Sequence, residues 1–519
     1  MRMTRCLLAL TLLLTALPAW AEAQIGMNLV GVSYYSPGQP FLNRFKARGP
    51  WDATKETEPL KVARDWSLLN FPTGATGVST AVKMDSPGAT FVLKWTGDAT
   101  WRFVAPISNV VTGDHRVTFT WDAAKATAPD ARTILTVKSG VPHNIVLVRA
   151  DQEALYDSGE RFNPDIMNLL KGVSHIRFMD WMRVNSAGQD VTTVTIEDGP
   201  DSSYMSGQVP LSVIVAFANE LNARPWITLP PYETDADVAK VFTYLDSASK
   251  QKPIIEYANE VWNMGFAIAK YAYAGQTEFP KDGTSWYAKQ VARIAKISRG
   301  HRAGVVAMWQ FGSATRSGKK LADALVANGV EKDIEAIGGA DYLSGGLNKT
   351  TSSALTLKVA NDVAGTLASF APQIATHAQA HKDFAALAAS HGWKYYTYEG
   401  GNYSLMAAGY PAADQAAMQA FFRTVQESPA AAANIEANFV NFDAAGGALY
   451  TPFNLSGPST KYGYFGLINT PATWAMYRAR IDKQMLSAND NQLLELRARV
   501  QALADEIDRV LPAYVKARQ

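Results

Sequence analysis

The chain has 519 residues, 47% hydrophobic and 18% charged, with 49 basic against 47 acidic side chains. This is ordinary globular composition with length for a large core, and a net charge of +2 with no basic tract gives little attraction for nucleic acid. The single cysteine, Cys6, precedes the first apolar run and leaves the rest of the chain without a disulfide or a cysteine metal site.

Arg2 and Arg5 stand before the apolar run Leu7 to Leu17, and small residues follow at Ala19, Ala21 and Ala23. That pattern predicts a secretory signal over residues 1–23, too short to span a membrane, and a product that is periplasmic or secreted and free of the membrane after cleavage. A cysteine-free export product fits a bacterial compartment. Next, "IGMNLVGVSYY" from Ile25 reads as a buried strand. Between 68 and 150 the texture changes. "TFVLKWTG", "RVTFTWD", "RTILTVK" and "NIVLVRA" are short β-forming runs between turn residues, and they predict a small inserted β-sandwich.

Beyond residue 150, strand-like and helix-like runs alternate. Asn163-Pro164 opens a helix, with "VSHIRFMDW", "ARPWITLPP", "KPIIEYANE", "AGVVAMWQFG", "DIEAIGGADYLSG", "GWKYYTYEGG" and "AGGALYTPFN" as strands. With residues 25–33 they make eight βα units and predict a (β/α)8 barrel built from 24–67 and 151–482, with a doubly wound open sheet as the alternative. The alanine-rich stretch 407–433 reads as one helix. Residues 483–519 read as a C-terminal amphipathic helix, in which Leu493, Leu496, Val500, Leu503, Ile507 and Val510 form a heptad seam that would dock on the chain itself or join a homo-oligomer.

Active sites of barrels lie at the C-terminal strand ends. Glu260 ends the fourth strand and Glu399 the seventh, where Gly400 and Gly401 follow. Two carboxyls placed so can cleave a glycosidic bond, with retention at a gap of about 5–5.5 Å and inversion at about 6.5–9.5 Å. Each could instead be a surface or capping carboxylate. Arg177 could be an inner-barrel ion pair with Glu256, and Tyr342 could be core packing. Trp181, Tyr232, Trp262 and Trp309 could stack on sugar or fill the core, and Asp180 could bind it at a subsite. His175 and His301 have no metal-ligand spacing.

The segments "YANEVWN" and "YTYEGG" resemble the fourth- and seventh-strand motifs of clan GH-A glycoside hydrolases. The resemblance implies a retaining barrel enzyme acting on β-linked sugars without metal or cofactor. It implies Glu260 as acid/base, Glu399 as nucleophile, Asn259 on the sugar 2-hydroxyl, Arg177 holding the nucleophile ionised and Tyr342 bonding to it. Where the clan commonly carries a tryptophan at the end of strand eight, this chain has Tyr450 and Phe453, and Val261 replaces the usual proline. An unusual branch is implied, with a polysaccharide or oligosaccharide as partner and endo action as the expectation. A catalytically silent glycan-binding barrel and a transglycosylase are the alternatives.

Overall fold

The computed structural model describes residues 22–54, 59–61, 77–84, 86–104, 107–122, 132–186, 193–205, 207–274, 282–312, 314–347, 362–488 and 499–500. The expected export signal falls almost wholly outside them, and so does nearly all of the expected heptad seam. Among the described residues no helix is long and apolar enough to cross a membrane.

Eight parallel strands close into a barrel. The first, β1, comes in two pieces, Gln24–Ile25 and Met27–Asn28. Then follow β2 (His175–Arg177), β3 (Arg224–Leu229), β4 (Ile254–Tyr257), β5 (Gly304–Trp309), β6 (Ile334–Leu343), β7 (Lys394–Tyr403) and β8 (Leu449–Tyr450). The first piece of β1 pairs with β8 and the second with β2, so the sheet leaves no open edge. Side chains alternate along each strand. Trp226, Ile254, Val306, Met308, Ala336, Tyr396, Tyr398 and Leu449 fill the interior, and a larger apolar shell joins the barrel to its helices.

Eight helices complete the units: α1 (Pro164–Leu170), α2 (Leu211–Glu220), α3 (Asp235–Ala248), α4 (Gly283–Ile297), α5 (Lys319–Ala327), α6 (Ala371–Ser390), α7 (Ala431–Ala444) and α8, described over 471–488. Asn163 caps α1 by accepting from the Asp165 amide, with Pro164 in the first turn, as the sequence predicts. The expected helix over 407–433 is two. Ala412–Glu427 ends at Ser428, which is extended because Pro429 follows, and α7 starts afresh at Ala431. The boundary expected at 482 lies inside α8. That helix packs Tyr477 and Ile481 against the barrel, and Gln484 bonds to Ile25 and Gly172.

The inserted domain starts before the expected residue 68. Its five-stranded sheet runs, in spatial order, Pro59–Lys61, Asp52–Thr54, Gly77–Lys83, Arg132–Gly140, Ala99–Val104. Its four-stranded sheet runs His143–Arg149, Thr90–Thr96, Arg116–Trp121, Ile107–Gly113. Phe91, Leu93, Phe119, Trp121, Leu135 and Val137 form its core. Chain exit and return lie side by side. Phe41 bridges Phe162, the Leu42 amide donates to Arg161 and the Asn163 amide donates to the Pro40 carbonyl at 2.8 Å. Asn43 then fastens the sandwich, donating to the Ile145 carbonyl and accepting from the Leu147 amide.

At the N-terminal end of the barrel a polar cluster surrounds Glu335, which accepts from Arg224 and Tyr396 at 2.8 Å and pairs with Lys252 at 2.6 Å. Burial opposes its charge, but these partners hold its carboxyl down to about 2. A depressed carboxyl contributes stability above its unfolded value and loses it as pH falls through the folded value. Wild-type stability should therefore drop between about pH 4.5 and pH 2, by about 3 kcal/mol from this group alone. Urea unfolding of Glu335→Gln should show that much lower stability at pH 6 and a flatter acid limb. An acid limb unchanged in the variant would remove Glu335 as its source.

Candidate active site

Arg177, on β2, lies in the barrel interior with no solvent exposure. A buried guanidinium needs acceptors for all five of its N–H groups. Its Nε and Nη2 donate to Glu256 on β4 at 2.8 and 3.0 Å. Nη1 donates to Glu399 on β7 at 2.7 Å and to Asn28 on β1 at 3.2 Å, and Nη2 also donates to Asn259 at 2.8 Å. Glu256 accepts further from Trp226 Nε1 and Thr228 Oγ1 on β3. One cation thus binds both carboxylates, so the ion pair with Glu256 and the contact to Glu399 coexist.

Glu399 is delivered by a bulge. Thr397 pairs with Gly339 and Glu399 with Ala340, so Tyr398 is an extra residue on β7. The extra residue breaks the alternation and turns Tyr398 and Glu399 to the same side. Tyr398 stands with its ring 5.1 Å from the Arg177 guanidinium. Gly400 (φ +113°) and Gly401 (φ +62°) then carry the chain against β6 and β8. A Cβ on Gly400 would lie 2.4 Å from the Asp341 amide nitrogen, so the glycines serve the strand's own packing. Tyr342 on β6 donates to Glu399 Oε2 at 3.0 Å.

Glu260 follows β4 through a strained turn. Ala258 (φ +53°) and Glu260 (φ +44°) occupy the left-handed region that non-glycine residues avoid. The half-buried carboxyl accepts from Tyr398 Oη at 3.0 Å and from Asn263 Nδ2 at 2.8 Å, and among the described residues no cation pairs with it. Asn259 accepts from Arg177 at Oδ1 and donates one Nδ2 proton to Asn185, and its second N–H has no acceptor among the described residues.

Burial raises Glu260, against its bonds from Asn263 and Tyr398. Burial also raises Glu399, against the pull of Arg177 and with a push from Glu260. Burial lifts Asp180, which is near enough to raise Glu399 in turn, to about 6. Burial thus disfavours charging all three carboxyls at once.

The structure thus brings together Glu260, Glu399, Asn259, Arg177, Tyr342 and Asp180. Trp262 is half-buried beside Glu260, and its indole N–H has no acceptor among the described residues. Three expected sugar contacts are core residues instead. Trp181 is 1% exposed, packs on Phe41, Phe178 and Phe217, and donates to the Val30 carbonyl. Trp309 is buried against Tyr287. Tyr450 is fully buried and donates to Asp341. Tyr232 is half-buried against Tyr271. Phe453 and Phe465, both half-buried, flank Tyr342 at 6.4 and 5.7 Å, an aromatic wall of which only Phe453 stands out in the sequence. Asn28, Asn185, Asn263 and Tyr398 went unforeseen, being short polar or aromatic residues in runs that read as ordinary strand and loop. Among the described residues, no group of three or more His, Cys, Asp or Glu side chains is arranged to hold a metal ion.

No protein-family model and no curated protein sequence matches the chain. Similar solved structures include a 4-O-α-L-rhamnosyl-β-D-glucuronidase from Fusarium oxysporum, 14% identical with a TM-score of 0.36 over 59% of this chain and 62% of that one. An endo-1,4-β-D-xylanase from Clostridium thermocellum is 9% identical, with a TM-score of 0.33 over 80% and 90% of the two chains. A modular endo-β-1,4-mannanase from Cellulomonas fimi is 10% identical, with a TM-score of 0.29 over 51% and 56%. The chain spans less than two thirds of the glucuronidase and of the mannanase.

Arg177→Lys retains charge but loses the planar fork, leaving Glu256, Asn259 and Asn28 short of donors. It should cost about 3–5 kcal/mol of stability in denaturant unfolding, the range for breaking a buried pair. Tyr342→Phe removes one bond to Glu399 and should cost about 1 kcal/mol. Equal stabilities for wild type and Arg177→Lys would refute the hub.

Proposed function

We propose that the chain is a retaining β-glycosidase, endo-acting on a β-linked polysaccharide and exported from the cell. The observation that carries this is the unequal treatment of two neighbouring carboxyls. Glu399 is gripped by a guanidinium and a phenol, whereas Glu260 has a phenol and an amide and no cation. Burial raises both, and Glu260 adds to the rise in Glu399, so we read the pair as sharing one proton. We place the charge on Glu399, which has a guanidinium beside it, and the proton on Glu260.

Glu399 then attacks the anomeric carbon while Glu260 gives its proton to the departing glycosidic oxygen. The aglycone leaves, and a glycosyl ester forms on Glu399. Glu260, now ionised, takes a proton from water as the water oxygen attacks the same carbon. The ester breaks, Glu399 recovers its charge and the sugar departs with its configuration retained. Asn259 contributes its remaining N–H to the 2-hydroxyl, Asp180 a polar subsite contact, and Trp262 a ring and an indole N–H beside the acid/base.

Proton NMR of freshly cleaved oligosaccharide should show the β-anomer first, and an α-anomer would overturn the retaining mechanism. Glu399→Gln should lower turnover by about 10³-fold or more.

The rate profile should be bell-shaped. Its acid limb follows protonation of Glu399 and its alkaline limb ionisation of Glu260, both displaced upward by burial. Glu260→Ala should lose the alkaline limb yet still cleave aryl glycosides whose leaving group needs no proton. An alkaline limb that survives this substitution would contradict the role.

A further inference from the structure

A second concave site lies in the inserted sandwich, outside the barrel. It is a cleft of 720 Å³, within the size range of pockets that hold small molecules. It opens where the free edges of the two sheets part, between Ala99–Val104 and Ile107–Gly113. Trp95, Trp101 and Phe103 line it together with Asp98, Asp114 and His115. The Trp95 and Trp101 rings meet edge to face at 5.6 Å, and His115 packs on Trp95 at 6.0 Å.

The chemistry of this wall is specific. The indole N–H groups of Trp95 and Trp101 are buried with no acceptor among the described residues. Such orphan donors are costly unless a ligand oxygen reaches them. The aromatic faces match the C–H face of a pyranose, and the hydroxyls and carboxylates of the rim match its hydroxyls. Among the described residues no lysine or arginine lines the cleft, so none of them there neutralises a uronate, sulfate or phosphate. Addition of a peptide strand is disfavoured too. The edge strand Ile107–Gly113 slips register between Ser108 and Val111, with Asn109 at φ +53°, which interrupts the ladder that an added strand would need.

We propose that this cleft is a second glycan site, which binds a short neutral oligosaccharide stretch. It anchors the chain on polymer without taking part in cleavage. The proposed activity enters only in the choice of probes.

The test uses full-length Glu399→Gln protein, so that probes are not consumed, titrated calorimetrically with cellohexaose, xylohexaose and mannohexaose. At least one probe should occupy two sites. Adding Trp101→Ala should abolish one of them or weaken it about tenfold or more. Thr112→Arg should do the same, because it fills the cleft from an exposed edge strand and leaves the sandwich core intact. With Glu399 restored, both variants should hydrolyse a soluble aryl β-glycoside within about twofold of wild type, since one indole and one rim residue far outside the barrel carry no step of the reaction. Unchanged stoichiometry and affinity in Thr112→Arg would overturn the cleft, as would failure of every probe to bind a second site. Binding that depends on Trp101 in a protein that cleaves no glycan would uphold the cleft and sink the catalytic reading instead.

Discussion

The barrel and its site both depend on a single buried cation. Arg177 spends its five N–H groups on residues of β1, of β4 and the turn after it, and of β7. In a low-dielectric interior a guanidinium is tolerated only when every donor is met and its charge is balanced. Glu256 supplies the balance. Glu399 is a second carboxylate on the same cation, and it shares that cation while facing Glu260. In the proposed reaction, the shortage of positive charge at this spot is what leaves a proton on one carboxyl of the pair. The same bonds that tie distant strands together would then divide the labour between two chemically identical groups.

A second network supports the first from behind. Asp341, next to Tyr342 on β6, is fully buried and accepts from Asn438 and Tyr450, with His377 at 2.8 Å and His381 at 3.3 Å. Burial opposes its charge, yet the two histidines hold its carboxyl well below the usual range. With neighbouring residues of a strand pointing to opposite faces, fixing Asp341 on the outer side fixes the phenol of Tyr342 on the inner side.

The legible part of the sequence was its periodicity. Eight strand-helix alternations and two glutamates at strand ends follow from patterns of burial, which the chain records residue by residue. What escaped were features set by packing between distant segments. Trp181, Trp309 and Tyr450 occupy strand ends where a sugar-stacking ring would stand, but nothing local reveals that Phe217, Tyr287 or Asp341 comes to meet them. The bulge at Tyr398 is invisible because "YYTYEGG" alternates well enough to read as regular strand. The sandwich strands Ala99–Val104 and Ile107–Gly113 carry too few buried positions to stand out, since one face of each borders a cleft. At 407–433 the alanine content outweighed Pro429, which did end the helix.

The paired stalk at Pro40 to Leu42 and Arg161 to Asn163 bears on how such a chain is assembled in evolution. The sandwich leaves and re-enters the barrel through two segments already hydrogen-bonded to each other, so its removal would leave two ends a single bridging turn apart. An element attached in this way can be gained, exchanged or lost as a cassette, with the host's strand order untouched. Selection can then act on the appended module and on the barrel at separate rates within one polypeptide.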